Sequence, residues 1–422
     1  MSETRLPGEA DVVVVGAGAL GSSTAFHLAA RADRRVVLID KFAVASQTSP
    51  RAAGLTQQMA GHEAMSRLAR RACQKIAEFA AETGQPMEFV RSGSVKLART
   101  DQHVAQLREE LARAERWGIP LRSIEPAELP SLSPFVNPRG VLFATYNPED
   151  LYLEPVQIPL GYARAAAARG ATVVENTAVE RLLVERGRVA GVATAGGEVR
   201  APVVVDAAGA WTRPVARSAG ATIAVVPTRH QLLISQPLDG VRPDQPIVRV
   251  VDANVYVRPE KGGLMLGGYE RDPRQYDAGA LGPDFTIAQL PLDLQVLRRL
   301  ADLVREQLPI FQEVFARELI REHRGGLPTV TPDGQKIVGP VESVPGLFVA
   351  SGCNVGGLST APALGEALAE LIVDGRAWLD LSDMRPERFG VEVTGGEGLL
   401  AAARRQYGYQ YWRVKPEVAV SA

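Results

Sequence analysis

At 422 residues with 46% hydrophobic content, the chain is too long for one ordinary core and points to two interleaved domains around a deep cleft. Its 47 basic and 48 acidic residues nearly cancel, and no strongly basic block stands out, so neither nucleic acid nor a membrane surface is an expected partner. The two cysteines, Cys73 and Cys353, lie far apart and form no CxxC pair, which argues against a disulfide scaffold and a cysteine-based metal site; no metal is expected.

The opening segment MSETRLPGEA carries charges and a proline where a signal peptide needs an apolar run, so a reducing cytoplasm is the expected location. Val12 to Val15 then read as a buried strand, Gly16 to Gly21 as a tight turn, Ser22 to Ala30 as a helix and Arg35 to Ile39 as a second strand. Helical spacing returns from Glu63 to Thr83, followed by a strand at Ser94 to Leu97 and a charged helix from Asp101 to Trp117. A second α/β stretch runs from Leu153 to Gly209 and includes strands Thr172 to Val174 and Val203 to Asp206. Alternating strands follow at Leu232 to Ser235, Val255 to Val257 and Leu264 to Leu266. A helix from Leu292 to Glu306, a strand at Leu347 to Ala350 and a helix from Ala363 to Val373 complete the ordered pattern. No internal repeat is found.

The fold class expected is α/β (α+β): a Rossmann-like domain over 1–90, 150–222 and 326–388, and a discontinuous second domain built on an antiparallel or mixed sheet over 91–149 and 223–325. A tail spans 389–422 and carries Arg404, Arg405 and the aromatic run Tyr407, Tyr409, Tyr411 and Trp412.

VVVVGAGALG places Gly16, Gly18 and Gly21 in GxGxxG spacing between strand and helix, with Ala19 opening the helix. A pyrophosphate would sit against that helix N-terminus. Asp40, nineteen residues beyond Gly21 and followed by Lys41, can accept hydrogen bonds from ribose hydroxyls and disfavours a 2′-phosphate. Two further small-residue turns, VVVDAAGAW with Ala208, Gly209 and Trp211, and SGCNVGGLSTAP with Gly352, Asn354, Gly356, Gly357 and Leu358, offer more backbone approaches than a nicotinamide enzyme needs. They favour FAD, which spans a long cleft, although ordinary strand-end turns are the alternative.

Together with RAAGLT at Arg51 to Thr56, ETGQPMEFVRSGSVKLART, PTRHQLLIS, VYVRPEKGGLMLGGYE and TPDGQKIVGP, these segments resemble the D-amino-acid oxidase superfamily, most closely the FAD half of dimethylglycine and sarcosine dehydrogenases, and also the sarcosine oxidases. The resemblance spans nearly the whole chain and implies FAD contacts at Arg51, Ala53, Gly54, Leu55 and Val179 as well. The tail ARRQYGYQYWRVKP resembles the linker that leads into a folate-binding half in those longer enzymes, a half not found in this sequence. Many relatives attach FAD through a histidine where this chain has Arg51, so noncovalent FAD is expected. The carboxylate-clamping arginine of simple amino-acid oxidases is replaced by Pro328, and the oxygen-assisting lysine of monomeric sarcosine oxidases by Met265. A dehydrogenase is therefore as natural an expectation as an oxidase.

For chemistry, His230 is one of only five histidines and could take the ammonium proton near neutral pH; a satisfied strand histidine is the alternative. Tyr256 points to one face of its strand, and Arg258, two residues on, shares that face as a carboxylate fork. Arg324, with His323, could hold substrate or reduced flavin, while His62, Arg229 and Tyr269 are weaker candidates and Cys353 reads as packing.

The expected function is oxidation of the C–N bond of a small secondary or tertiary amino acid by hydride transfer to FAD. Another amino acid, cyclic or D, or a 2-hydroxy acid is the alternative. A flavoprotein subunit whose tail docks a folate-binding or electron-transfer partner is the alternative of another class, and an acceptor protein or a homo-oligomer remains an open partner.

Overall fold

The computed structural model describes residues 6–31, 34–390 and 395–413. Val12–Val15, a run without alternation, is buried on both faces and flanked by parallel partners, as such a run requires. It lies inside a six-stranded sheet in the order Ile337–Pro340, Leu347–Ser351, Val203–Asp206, Val12–Val15, Val36–Ile39, Thr172–Val174. All neighbours are parallel except the edge strand Ile337–Pro340.

Alternate residues of this sheet serve two cores. Val12, Val14 and Leu38 pack with the helices Ala19–Ala29, Gln157–Ala168 and Gly357–Asp374, while Val13, Val15 and Ile39 pack toward a three-stranded antiparallel layer of Val179–Glu185, Arg188–Thr194 and Gly197–Arg200. Small residues bring the first and last of those helices close: a Cβ on Gly365 would stand 2.2 Å from Ser23 Oγ.

The second sheet has eight strands in the order Ile320–Gly326, His230–Ser235, Gly263–Gly268, Val255–Glu260, Ile247–Val250, Ser94–Ala98, Phe143–Asn147, Arg122–Ile124. Only the pairing of Ile247–Val250 with Ser94–Ala98 is parallel. One face packs against the helices Leu294–Leu303 and Ile310–Ala316 through Val257, Leu266 and Leu233. The opposite face carries Leu232, Tyr256 and Met265, which cluster with Tyr269 and with Leu399, Ala403 and Tyr407 of the tail helix Gly396–Gly408.

Several sequence boundaries move. The helical stretch 63–83 divides into Glu63–Ala77 and Phe79–Thr83, closed by Gly84 at φ 70°. The helix expected from Leu292 starts at Leu294, because the Asp293 side chain accepts the Gln295 N–H and caps it. The helix expected from Ala363 starts at Gly357 and tolerates Pro362 within its second turn. The 389–422 tail falls partly outside the described residues. No helix among the described residues is long and apolar enough to cross a membrane.

Candidate functional site: a dinucleotide trench opening on an aromatic cavity

The C-terminal ends of the parallel strands open on a cavity of about 610 Å³ lined by Asp40, Lys41, Val179, Gly18, Ala208, Gly209 and Trp211. It adjoins a second cavity of about 150 Å³, the two sharing Gly18, Ser49 and Gly209. The pair of cavities lies at the switch point of a doubly wound sheet, between Val12–Val15 and Val203–Asp206, which is where such a sheet takes a dinucleotide.

Its first wall depends on missing side chains. Gly16 adopts φ 103°, and a Cβ there would lie 2.5 Å from Ala207 O; a Cβ on Gly21 would lie 1.8 Å from Gly16 O. The helix that follows presents its N-terminus to the trench, and Ala19 donates its N–H to Ser49 Oγ at 3.0 Å. Asp40 accepts N–H groups from Ala17 at 2.6 Å and Phe42 at 2.7 Å. Burial nevertheless pushes its carboxyl up to about 6, against those two bonds. Each oxygen keeps a lone pair for a ribose hydroxyl. Lys41 Nζ lies over the rings of Phe42 and Trp211 at 5.1 and 5.6 Å.

Arg51, Ala53, Gly54 and Leu55 line one side of the second cavity, and Cys353, Gly357 and Leu358 the other. Gly54 is held at φ 65°, and a Cβ would meet Leu153 O at 2.0 Å. Arg51 Nη1 donates to the carbonyl of Ser46 at 2.5 Å and also to that of Gln47. Gly352 and Asn354 stand behind this wall: the Asn354 side chain accepts the Thr331 N–H and donates to Gln335 O and Gly352 O, which braces the turn. Gly356 lies on a neighbouring cavity with Asn354.

The far end of the second cavity is aromatic. His230 Nε2 lies 2.9 Å from Tyr256 Oη, and its Nδ1 lies 2.8 Å from Tyr407 Oη. Tyr269 stacks beside them at 5.0 Å from the imidazole centre. Gly267 makes room, since a Cβ there would sit 2.2 Å from Tyr256 Oη. Burial pushes His230 down to about 3 and pushes the Tyr256, Tyr269 and Tyr407 phenols up. Among the described residues, Arg51 is the one charged side chain that lines this cavity.

Two sequence expectations are corrected here. His230 is not a base poised near neutral pH, because it is buried without a carboxylate to support its charge and both ring nitrogens are held by phenols. Arg258 does share the face of Tyr256, but its guanidinium pairs with Glu260 at 2.5 Å, donates to Ala53 O at 2.7 Å and packs over the Tyr152 ring. It does not line the cavity.

Arg324 also lies off the lining, near Glu322 at 3.4 Å and Ala52 O at 3.4 Å. His323 meets Gln231 at 3.1 Å, Arg229 donates to Pro291 O, and His62 meets Gln335 at 2.8 Å, so none of the three joins the aromatic group. Pro328 lines the cavity, whereas Met265 is buried beneath the sheet surface.

Sequence reasoning passed over Tyr407 and underrated Tyr269. Tyr407 and Tyr411 lie on the cavity side of the tail, which gives an internal use to rings expected to dock a partner: Tyr407 is buried, and Tyr269 and Tyr411 meet edge to face at 5.3 Å.

Comparison with known proteins agrees with this geometry. Mouse (Mus musculus) mitochondrial sarcosine dehydrogenase is 29% identical over 92% of this chain and 42% of its own length. The 4-methylaminobutanoate oxidase (formaldehyde-forming) of Paenarthrobacter nicotinovorans is 29% identical over 97% of this chain and 49% of its own. This chain thus spans under half the length of these relatives. The crystal structure of L-proline dehydrogenase from P. horikoshii superposes with a TM-score of 0.80 at 26% identity, over 91% of this chain and 98% of the other. A family model described as "FAD dependent oxidoreductase" matches residues 11–371, the stretch that holds both walls of the trench. The chain belongs to that family of FAD-dependent oxidoreductases, and FAD is its cofactor.

Proposed function

We propose that this protein oxidises the C–N bond of a small secondary or tertiary amino acid, in an oxidative demethylation of the sarcosine or dimethylglycine kind. The observation that carries the reading is the neutral aromatic end of the cavity, where His230 is held between Tyr256 and Tyr407 with no carboxylate in the lining among the described residues. Amine oxidation needs the nitrogen lone pair free. An apolar wall without a counter-charge raises the cost of an ammonium ion there, so the amine enters or stays unprotonated.

FAD, when held in the trench, would supply the acceptor for a hydride equivalent from the carbon beside nitrogen. The residues of this chain orient that carbon: Tyr256 Oη and Tyr269 bound the substrate space, and His230 fixes Tyr256 from behind as a positioning residue. The resulting imine is hydrolysed by water to an aldehyde and the shorter amine. The likeness to a formaldehyde-forming oxidase and to sarcosine dehydrogenase supports this substrate class, and the likeness to L-proline dehydrogenase makes a cyclic secondary amino acid the second reading. We also propose the residue division given above for the cofactor and substrate domains.

The test is anaerobic bleaching of the flavin band with sarcosine, dimethylglycine, proline, several D-amino acids and a 2-hydroxy acid. Fast bleaching by N-methyl amino acids is the expected result; bleaching by proline alone selects the second reading, and bleaching by a 2-hydroxy acid alone discards both. Reoxidation in air then separates an oxidase from a dehydrogenase that passes electrons to a carrier.

A further inference from the structure

An amino-acid substrate carries a carboxylate, and Arg229, Arg258 and Arg324, each with one nitrogen unpaired among the described residues, already face an acid side chain. Arg258 pairs with Glu260, and Arg51 donates to two backbone carbonyls. A different arginine is not so occupied. Arg249 lies in the middle of the strand Ile247–Val250 and is fully buried. It stands directly across from Tyr256 in the sheet, so the two side chains rise from the same face. Its Nη2 donates to Thr56 O at 2.6 Å, while its Nε and Nη1 are buried without any hydrogen-bond partner among the described residues.

A guanidinium in that state is expensive unless something arrives to meet it. Asp150, the buried acid on which Arg249 bears, gives its oxygens to Gln58 N–H and the Ser94 hydroxyl, at 2.9 and 2.5 Å. On its other side Arg249 lines a cavity of about 280 Å³ with Gln410 and Tyr411, and the Tyr411 phenol stands beside the guanidinium. That cavity shares Leu55, Tyr269 and Val355 with the cavity that holds His230. The His230–Tyr256 pair and the side of Arg249 with unpaired nitrogens thus border two neighbouring cavities that meet at the Tyr269 wall.

We propose that Arg249 is the anion anchor of this protein: it binds the carboxylate of a small amino-acid substrate and holds the amine end against Tyr256. This assignment rests on the amino-acid reading for its substrate, but the anion site can be tested without turnover. It also fills the place left open by Pro328, and it makes the ligand's carboxylate, rather than its alkyl group, the chief source of affinity.

The test uses the FAD-loaded protein and propionate, a small carboxylate with no amine, followed by perturbation of the bound-flavin spectrum. Propionate is expected to bind and its neutral isostere propionamide to bind much more weakly. Arg249→Met is expected to raise the propionate Kd by roughly thirtyfold or more, as for loss of a buried charge partner, and Arg249→Lys to recover part of that loss. Equal binding of propionate and propionamide to the unmodified protein, or no perturbation by either, overturns the proposal even if Arg249→Met fails to fold. So does an Arg249→Met protein that binds propionate as the native one does. If N-methyl amino acids bleach the flavin with unchanged KM in Arg249→Met, the anchor is wrong and the demethylation reading stands. If propionate binding depends on Arg249 but no N-methyl amino acid bleaches the flavin, the anchor stands and the demethylation reading falls.

Discussion

Replacing Tyr407 by phenylalanine removes one oxygen from a ring that is 1% exposed. That oxygen lies 2.8 Å from His230 Nδ1, and the other imidazole nitrogen is already engaged with Tyr256. The ring shape is preserved, so the packing of Tyr407 against Tyr269 survives, and what changes is that a buried nitrogen loses its partner. A buried polar group left unmet costs about 1–3 kcal/mol. Two effects are expected in Tyr407→Phe. The urea midpoint falls by an amount equivalent to that cost with an unchanged slope, and the anaerobic flavin-reduction rate with the best substrate falls because His230 no longer fixes Tyr256. A cycle with His230→Leu adds a control, since the two changes together should cost less than the sum of each alone. A Tyr407→Phe protein whose midpoint and reduction rate both match the native protein would refute the idea that the tail pins His230.

Three other outcomes follow from the same geometry. In Gly21→Ala the new Cβ would stand 1.8 Å from Gly16 O, so the first helix must shift; a cost above about 3 kcal/mol is expected, with purified protein that lacks flavin absorbance and melts at lower temperature. His230 has a folded pKa of about 3, below its ordinary 6.5, so its share of stability is fully present above pH 6.5 and is lost as pH falls toward 3. The loss amounts to about 5 kcal/mol once pH has fallen below 3; a pH series of urea midpoints should show it in the native protein and a flatter curve in His230→Gln. Arg51 offers no histidyl bond to flavin, so acid precipitation is expected to leave a yellow supernatant over colourless protein, and a yellow pellet would overturn noncovalent binding.

What the sequence revealed depended on how local the physics was. The trench wall was legible because a tight turn, a close helix and a buried strand each restrict residue type over a few positions: Gly16, Gly21 and Asp40 lie where spacing put them. His230 and Tyr256 were legible as residues and not as a pair, since 26 positions separate them and only the sheet brings their polar atoms to 2.9 Å. Arg258 misled because sharing a face says nothing about a counter-ion two residues away, and Glu260 takes the charge. Tyr407 is 177 positions from His230 and reads from sequence as one member of an aromatic run. Arg249 had a local signal that went unused: a lone cation in the apolar run PIVRVV is costly to bury unless it meets something charged.

The tail helix has a further consequence for how this architecture can diversify. The family model matches residues 11–371, and Tyr407 and Tyr411 come from beyond it. The tail helix packs against Ala53, Leu55 and Val355 of the cavity wall and Gln410 donates to Asn354 O, so a change in this terminal cassette bears on the aromatic end and the cofactor wall together. Exchange of residues 396–413 between relatives is therefore expected to shift substrate selectivity and flavin affinity together.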